Sequence, residues 1–206
     1  MSVDFPYSLI VTGHPRSGTS TMMRMLGLGG VEMVYSEDSS KVDNYIGNPY
    51  GIYEQGDILT WLPASLPSDT NGKVTKVIAP YIHYFPYHKV DRPVKLIFMV
   101  RDLQDIMSSL LEIRVVWKYT PEQILASAYT YIQAADLETM YINFNDMIKY
   151  PKTTALRIEE YMGVDLDVDT MATAVDKNVR KKVREKIDAP LITFQFDENK
   201  VFHNDI

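Results

Sequence analysis

The stretch that decides the reading of this chain is VTGHPRSGTS, residues 11–20. It follows the apolar run Tyr7-Ser8-Leu9-Ile10-Val11 and precedes Thr21 to Leu26, a segment suited to a helix. A strand that feeds a glycine-bracketed loop and then a helix is a common way to build an anion site. Gly13 and Gly18 are separated by four residues, as in a phosphate-binding loop, and Ser20 stands where that motif uses Ser or Thr. Position 19, the place of the motif's lysine, is Thr19, and the cation comes earlier as Arg16. The loop is well made for a tetrahedral anion. Its two glycines allow backbone angles that larger residues resist, so consecutive amides can point inward as a nest. The helix adds its N-terminal amides and the positive end of its dipole. Arg16 adds a fixed fork of donors, and Ser17, Thr19, Ser20 and Thr21 add hydroxyls. A ligand-free tight turn is the competing reading, and four hydroxyls with a guanidinium are a costly way to make one.

Size and composition bound what such a loop can serve. A chain of 206 residues fits one domain, expected to span 1–206, and is long enough to bury a core. With 46% hydrophobic and 23% charged residues it has the balance of an ordinary soluble globular protein. A net charge of -6 argues against a general nucleic-acid binder, so an anion site must be local. The absence of cysteine excludes disulfides and thiolate metal sites. No His/Asp/Glu spacing suggests a metal. Met1 to Pro6 lacks the basic flank and apolar run of a signal peptide. No apolar stretch approaches the ~20 residues needed to span a bilayer. A soluble, cytoplasmic protein is the expectation.

Short apolar runs recur at Ser8 to Thr12, Val31 to Tyr35, Val74 to Ala79, Lys95 to Val100 and Met140 to Phe144. Bounded by turn residues, they suit strands buried on both faces of a parallel sheet. Helices are expected over Ser17 to Leu28, Leu103 to Val116, Pro121 to Leu137 and Pro151 to Met162. Thr120 can cap the third, with Pro121 at its first position, and Gly163 can end the fourth. The alternation predicts an α/β fold, a three-layer sandwich with a mainly parallel central sheet of P-loop type. Ser36 to Ser68, rich in Gly and Pro, reads as a long irregular segment of functional or mobile character. VRKKVREKID, residues 179–188, reads as a solvated helix face, and Leu191 to Phe196 as a last strand.

A second constellation sharpens the first. RDLQDIMSS, residues 101–109, begins directly after the apolar KLIFMV, so Arg101 lies at a strand's carboxyl end. Ligands of open α/β sheets sit beyond those ends. A turn followed by about two helical turns can bring Arg101 and Ser109 toward one anion. Asp102 or Asp105 is suited to cap the helix, and a structural ion pair is the plainer role for Arg101.

Both stretches resemble the sulfotransferases that use 3′-phosphoadenosine 5′-phosphosulfate (PAPS). The family's 5′-phosphosulfate loop reads Pro-Arg/Lys-Ser-Gly-Thr-Thr/Ser, found here as Pro15-Arg16-Ser17-Gly18-Thr19-Ser20. Its 3′-phosphate site uses an arginine closing a strand and a serine eight residues on, matching Arg101 and Ser109. NPYGIYE at 48–54 is similar to a segment of many bacterial members, and INFNDMIKYPKTTALRIEEYMGV at 142–164 to the family's strand, acidic turn, proline and helix. The resemblance covers most of residues 7–185 and not the tail from about 188. It implies PAPS as co-substrate, the product nucleotide 3′-phosphoadenosine 5′-phosphate (PAP), and no required metal. Arg16, Ser17, Gly18, Thr19, Ser20, Thr21, Arg101 and Ser109 would hold the nucleotide, and Arg16 would also stabilise the departing phosphate.

One branch of the family carries its base in a Lys-Thr-His step, which here reads Lys76-Val77-Ile78. Other branches use a glutamate, for which Glu54 is the candidate, with Glu37 behind it. Lys76 is a candidate for the leaving phosphate, with Lys73 or Lys76 as a strand-end surface charge the plainer alternative. His14 reads as a loop or adenine-side residue, and His203 as a solvated one. His83 and His88 lie in PYIHYFPYH (80–88), either an acceptor wall or ordinary half-buried packing. A small-molecule, phenol, carbohydrate, lipid or peptide acceptor is open. Two alternatives to the transferase stand: a catalytically silent 3′-phosphoadenosine nucleotide-binding module, and a P-loop nucleotide kinase or NTPase.

Overall fold

The computed structural model describes residues 3–35, 70–85, 87–89, 92–112, 115–175 and 192–194. In chain order the elements are β1 (Ser8–Gly13), α1 (Thr19–Leu28), β2 (Met33–Val34) and β3 (Val74–Lys76). Two short 3-10 turns follow, Ala79–Tyr84 and Tyr87–Lys89, then β4 (Val94–Val100), α2 (Leu103–Glu112) and β5 (Val115–Trp117). The chain continues with α3 (Pro121–Ala134), β6 (Glu138–Asn143), α4 (Phe144–Lys149), α5 (Pro151–Met162), α6 (Val168–Ala172) and β7 (Ile192–Phe194).

Among the described residues, five strands form one parallel sheet in the order β2-β3-β1-β4-β6. Every residue of β1 is buried, as its unbroken apolar character requires of a strand covered on both faces. Leu9 and Val11 join Met22, Met25, Leu26, Ile158 and Met171 on one side of the sheet. Ile10 joins Ile82, Phe85, Phe98, Ile124 and Ile132 on the other. Helices α1, α5 and α6 thus cover one face, and α3 with the 3-10 turns covers the other, giving the expected three-layer α/β fold. From β1 the chain moves outward to β2, and from β4 it moves the opposite way to β6. The sheet therefore reverses its winding between β1 and β4, the place where open α/β sheets keep their ligands.

Local chemistry accounts for several boundaries. Thr120 and Gln123 form a reciprocal capping box: Gln123 N–H donates to Thr120 Oγ1 at 3.3 Å and Thr120 N–H to Gln123 Oε1 at 2.9 Å. Asn143 Oδ1 accepts from the amides of Asn145 and Asp146, ending β6 and starting α4. That cap makes Phe144 a helical residue and not the last of a strand.

Other expected boundaries need correction. The helix expected over 103–116 stops at Glu112, and Val115–Trp117 instead pairs with Ile192–Phe194 in a separate two-stranded parallel sheet. The β-branched pair Val115-Val116 and Trp117 suit an extended strand better than a last helical turn. The strand expected over 74–79 ends at Lys76, because a 3-10 turn with proline in its first positions begins at Ala79. The first helix begins at Thr19, since Ser17 and Gly18 belong to the loop. Residues 36–69, with Glu37, Glu54 and the 48–54 segment, lie outside the described residues, as do VRKKVREKID and His203. No helix among the described residues is long and apolar enough to cross a membrane.

Candidate functional site

The loop after β1 is built on unusual backbone angles. Gly13 has φ 144° and Gly18 φ 100°. A Cβ on Gly13 would sit 2.6 Å from Ser17 Oγ and 2.7 Å from the Met99 carbonyl, and one on Gly18 would run into the Phe144 ring. Between them Arg16 holds φ 72°, a left-handed angle that non-glycine residues keep only where their surroundings impose it. The turn is closed by Ser17 N–H donating to the His14 carbonyl at 2.9 Å. Gly18 caps α1 without a side chain, and the first turn carries no acid, so no carboxylate competes for its amides.

Several polar atoms here are buried without a hydrogen-bond partner among the described residues: Thr12 Oγ1, His14 Nε2, Ser17 Oγ and Thr75 Oγ1. Buried polar groups are normally paired, and three of these atoms, on Thr12, His14 and Ser17, belong to the loop and the strand end before it. The His14 ring is fully enclosed, and its Nδ1 lies 2.6 Å from the Pro15 carbonyl. A carbonyl only accepts, so Nδ1 carries the proton. Burial lowers the His14 pKa, opposed by that carbonyl and by the charge of Glu122.

The second motif meets the first directly. Arg101 Nη1 donates to the Arg16 carbonyl at 2.8 Å, and Arg16 Nε donates to Ser109 Oγ at 3.0 Å. The Arg101 side chain is 6% exposed, with Asp105 at 3.8 Å, and its guanidinium lies 4.3 Å above the Phe144 ring. Lys76, 2% exposed, donates from Nζ to Ser20 Oγ at 3.1 Å. Burial first, then the like charge of Arg101, pulls the Arg16 guanidinium down to about 10, with Glu112 pushing back. It remains a cation at neutral pH. In a chain of net charge -6 this end of the sheet concentrates Arg16, Arg101 and Lys76.

The sequence-predicted residues divide clearly. Arg16, Ser17, Gly18, Thr19, Ser20, Arg101, Ser109 and Lys76 come together, and Thr21 follows them on the first turn of α1. Lys73 does not join them: it lies before β3 at the other end of the sheet and pairs with Glu32 at 2.6 Å. Asp102 caps α2, its Oδ1 accepting from the amides of Gln104 and Asp105. His83 and His88 are exposed, while Ile82 and Phe85 beside them are core and Tyr131 O–H bonds the Phe85 carbonyl at 2.7 Å. That run is chiefly a packing element. Glu54 and Glu37 lie outside the described residues. The sequence reading misses Phe144, placing it as the last residue of a strand and not as the start of a helix.

No family model matches the sequence, and no curated protein does. Among solved structures, the fold resembles a mouse sulfotransferase, SULT7A1, determined in complex with PAP. The TM-score is 0.52 at 15% identity, over 97% of this chain and 74% of that one. An unliganded sugar kinase from Janibacter sp. HTCC2649 aligns at TM-score 0.42 and 14% identity, over 82% of this chain and 98% of that one. At these identities the likeness to the sulfotransferase fixes the fold alone, a mostly parallel α/β sheet with helices.

Proposed function

We propose that this chain is a PAPS-dependent sulfotransferase, transferring a sulfuryl group from PAPS to a hydroxyl or amine of an acceptor. The observation that carries the reading is the meeting of two anion motifs across β1 and β4, through the Arg101–Arg16 and Arg16–Ser109 hydrogen bonds. Two adjacent cationic subsites suit a nucleotide with anionic groups on both its 3′ and 5′ sides. The buried Ser17 hydroxyl and the positive-φ backbone at Gly13, Arg16 and Gly18 fit a tetrahedral group on the 5′ side.

PAPS would supply the activated sulfuryl group. In transfer, the acceptor oxygen forms a bond to sulfur as sulfur's bond to the 5′-phosphate oxygen breaks, and the electron pair leaves with that phosphate. The loop amides and the Ser17 and Ser20 hydroxyls hold the 5′ side, and Arg101 with Ser109 holds the 3′-phosphate. Arg16, between the two, offers charge-assisted donors that strengthen as charge grows on the departing phosphate. Lys76 adds a second cation on the Ser20 side. The acceptor's proton passes to a carboxylate, Glu54 first and Glu37 next.

One observation favours the silent nucleotide-binding module as the second reading. Ile78 stands where one branch of the family carries its base, and it is 7% exposed and apolar. The kinase or NTPase reading has less support. Thr19 replaces the motif's lysine, and the Ser20 hydroxyl that such enzymes place on magnesium is bonded by the Lys76 ammonium. The test is transfer of labelled sulfate from PAPS across carbohydrate, lipid, phenol and peptide acceptors. With an acceptor found, Glu54→Gln should slow turnover by about 10²–10⁴ while PAP affinity holds. Tight PAP binding with no acceptor sulfated would favour the silent module.

A further inference from the structure

We propose that Phe144 is a positioning residue that locks the distance between the two anion subsites, resting on the nucleotide reading above. Three strand ends converge on it. Gly13 of β1 is in register with Met99 of β4, and Val100 of β4 with Asn143 of β6. One residue beyond that last pair stand Arg101 and Phe144, which the register makes neighbours. The Asn143 cap turns the chain at this point, so that Phe144 opens α4 and does not extend the strand. Its ring then does two things at once. It fills the space that a side chain at Gly18 would take, with Cε2 2.8 Å from where that Cβ would sit. It also lies beneath the Arg101 guanidinium, 4.3 Å from ring centroid to Cζ.

The consequence is mechanical and electrostatic. Gly18 caps α1 and fixes the 5′ side of the loop, whereas Arg101 starts the segment that serves the 3′ side. A single rigid ring with two rotatable bonds, packed between them, makes the loop and the arginine one body. The ring face also attracts the guanidinium electrostatically and holds it in place. Glycine at 18 is thereby required twice over, by its φ of 100° and by the ring against it. Phe144 acts through Arg101 and needs no contact with the ligand.

The test compares Phe144→Leu, which keeps bulk against Gly18 but removes the ring face, with Phe144→Tyr, which keeps the face. Calorimetry reads PAP and AMP affinity, thermal melting reads the fold, and NMR reads the Arg101 side-chain Nε–H, which ring current shifts. The expectation for Phe144→Leu is a PAP-over-AMP preference reduced by about 3- to 30-fold, the span for cation–ring contacts from exposed to desolvated. AMP affinity should hold, the Arg101 resonance should move, and Phe144→Tyr should restore both readouts. An unmoved resonance with an unchanged preference would overturn the proposal. So would equal weakening of both nucleotides with a lower melting temperature and no rescue by tyrosine. If the wild-type protein itself binds PAP no better than AMP, the nucleotide reading fails on its own. The Arg101 resonance then decides the role of Phe144: a shift in Phe144→Leu supports it and no shift overturns it.

Discussion

The two ends of the central sheet are made from the same strands and finished in opposite ways. At the amino ends, polar groups find partners within the protein. Tyr7 O–H donates to the Met162 carbonyl at 2.7 Å, and Tyr161 O–H lies at 3.0 Å from the Leu96 carbonyl and 2.9 Å from that of Glu138. Lys95 is held by Glu138 at 2.8 Å and by the Tyr161 carbonyl at 3.2 Å, with the rings of Tyr7 and Tyr161 around it. Burial pushes the Tyr7 phenol up to about 12, with the Glu138 charge adding to it, and raises that of Tyr161 as well. Both stay protonated as donors. At the carboxyl ends, the hydroxyls of Thr12 and Ser17 and Nε2 of His14 are buried without partners among the described residues, beside Arg16 and Arg101. Among the described residues, the groups named at the amino end are paired within the protein, whereas those three at the carboxyl end are buried without a partner. That asymmetry supports the proposal that ligand binding falls at the carboxyl end.

The contrast can be broken by substitution at either end. The largest effect is expected at the carboxyl end. Arg16→Ala removes a charged donor from the site, and each such bond contributes about 1.5–3 kcal/mol, so PAP affinity should fall roughly 10- to 100-fold. Some thermal stability should be lost as well, because the Ser109 hydrogen bond and the attraction to Glu112 go with the guanidinium, but the fold should persist. A variant that unfolds instead would make Arg16 a structural residue. At the amino end the pattern should invert. Tyr161→Phe removes the hydroxyl's hydrogen bonds to the Leu96 and Glu138 carbonyls and should cost about 1 kcal/mol in denaturant unfolding, with PAP affinity unchanged.

The smallest effect is a pH dependence. The His14 pKa in the folded protein lies below the ordinary 6.5. Below that value the unfolded chain binds the proton and the folded one resists it. Stability therefore rises with pH up to about 6.5 and then levels, by no more than about 1.4 kcal/mol per pH unit. His14→Gln should flatten this rise measurably in unfolding curves taken across the acid range. An unaltered slope would mean that His14 is not the group responsible.

Much of this was legible in the sequence because it is local. Gly13 and Gly18 at phosphate-loop spacing after an apolar run defined β1, the loop and α1. An unbroken apolar KLIFMV followed by Arg101 located the second motif, Thr120-Pro121 announced its cap, and of the two candidates Asp102 and Asp105 the cap is Asp102. What was not legible depends on contacts far along the chain. Val115–Trp117 reads as the end of a helix until Ile192–Phe194 is there to pair with it. Lys76 reads equally as a phosphate-side cation or a surface charge until β3 is buried between β2 and β1. Phe144 gains its meaning only when β4 and β6 are set in register, which no spacing within either strand can announce. The proton acceptor stays a reading from resemblance, since Glu54 and Glu37 lie outside the described residues.

The central claim is that the carboxyl end of the sheet is a two-anion nucleotide site in which Arg101 with Ser109 reads the 3′-phosphate. The most direct test is calorimetric titration of PAP and AMP into the wild-type protein and Arg101→Ala. PAP should bind the wild-type protein far more tightly than AMP. Arg101→Ala should lose roughly 10- to 100-fold of its PAP affinity while AMP binding stays nearly unchanged. Equal affinity of the wild-type protein for the two nucleotides, or an equal loss of both in the variant, would contradict the account.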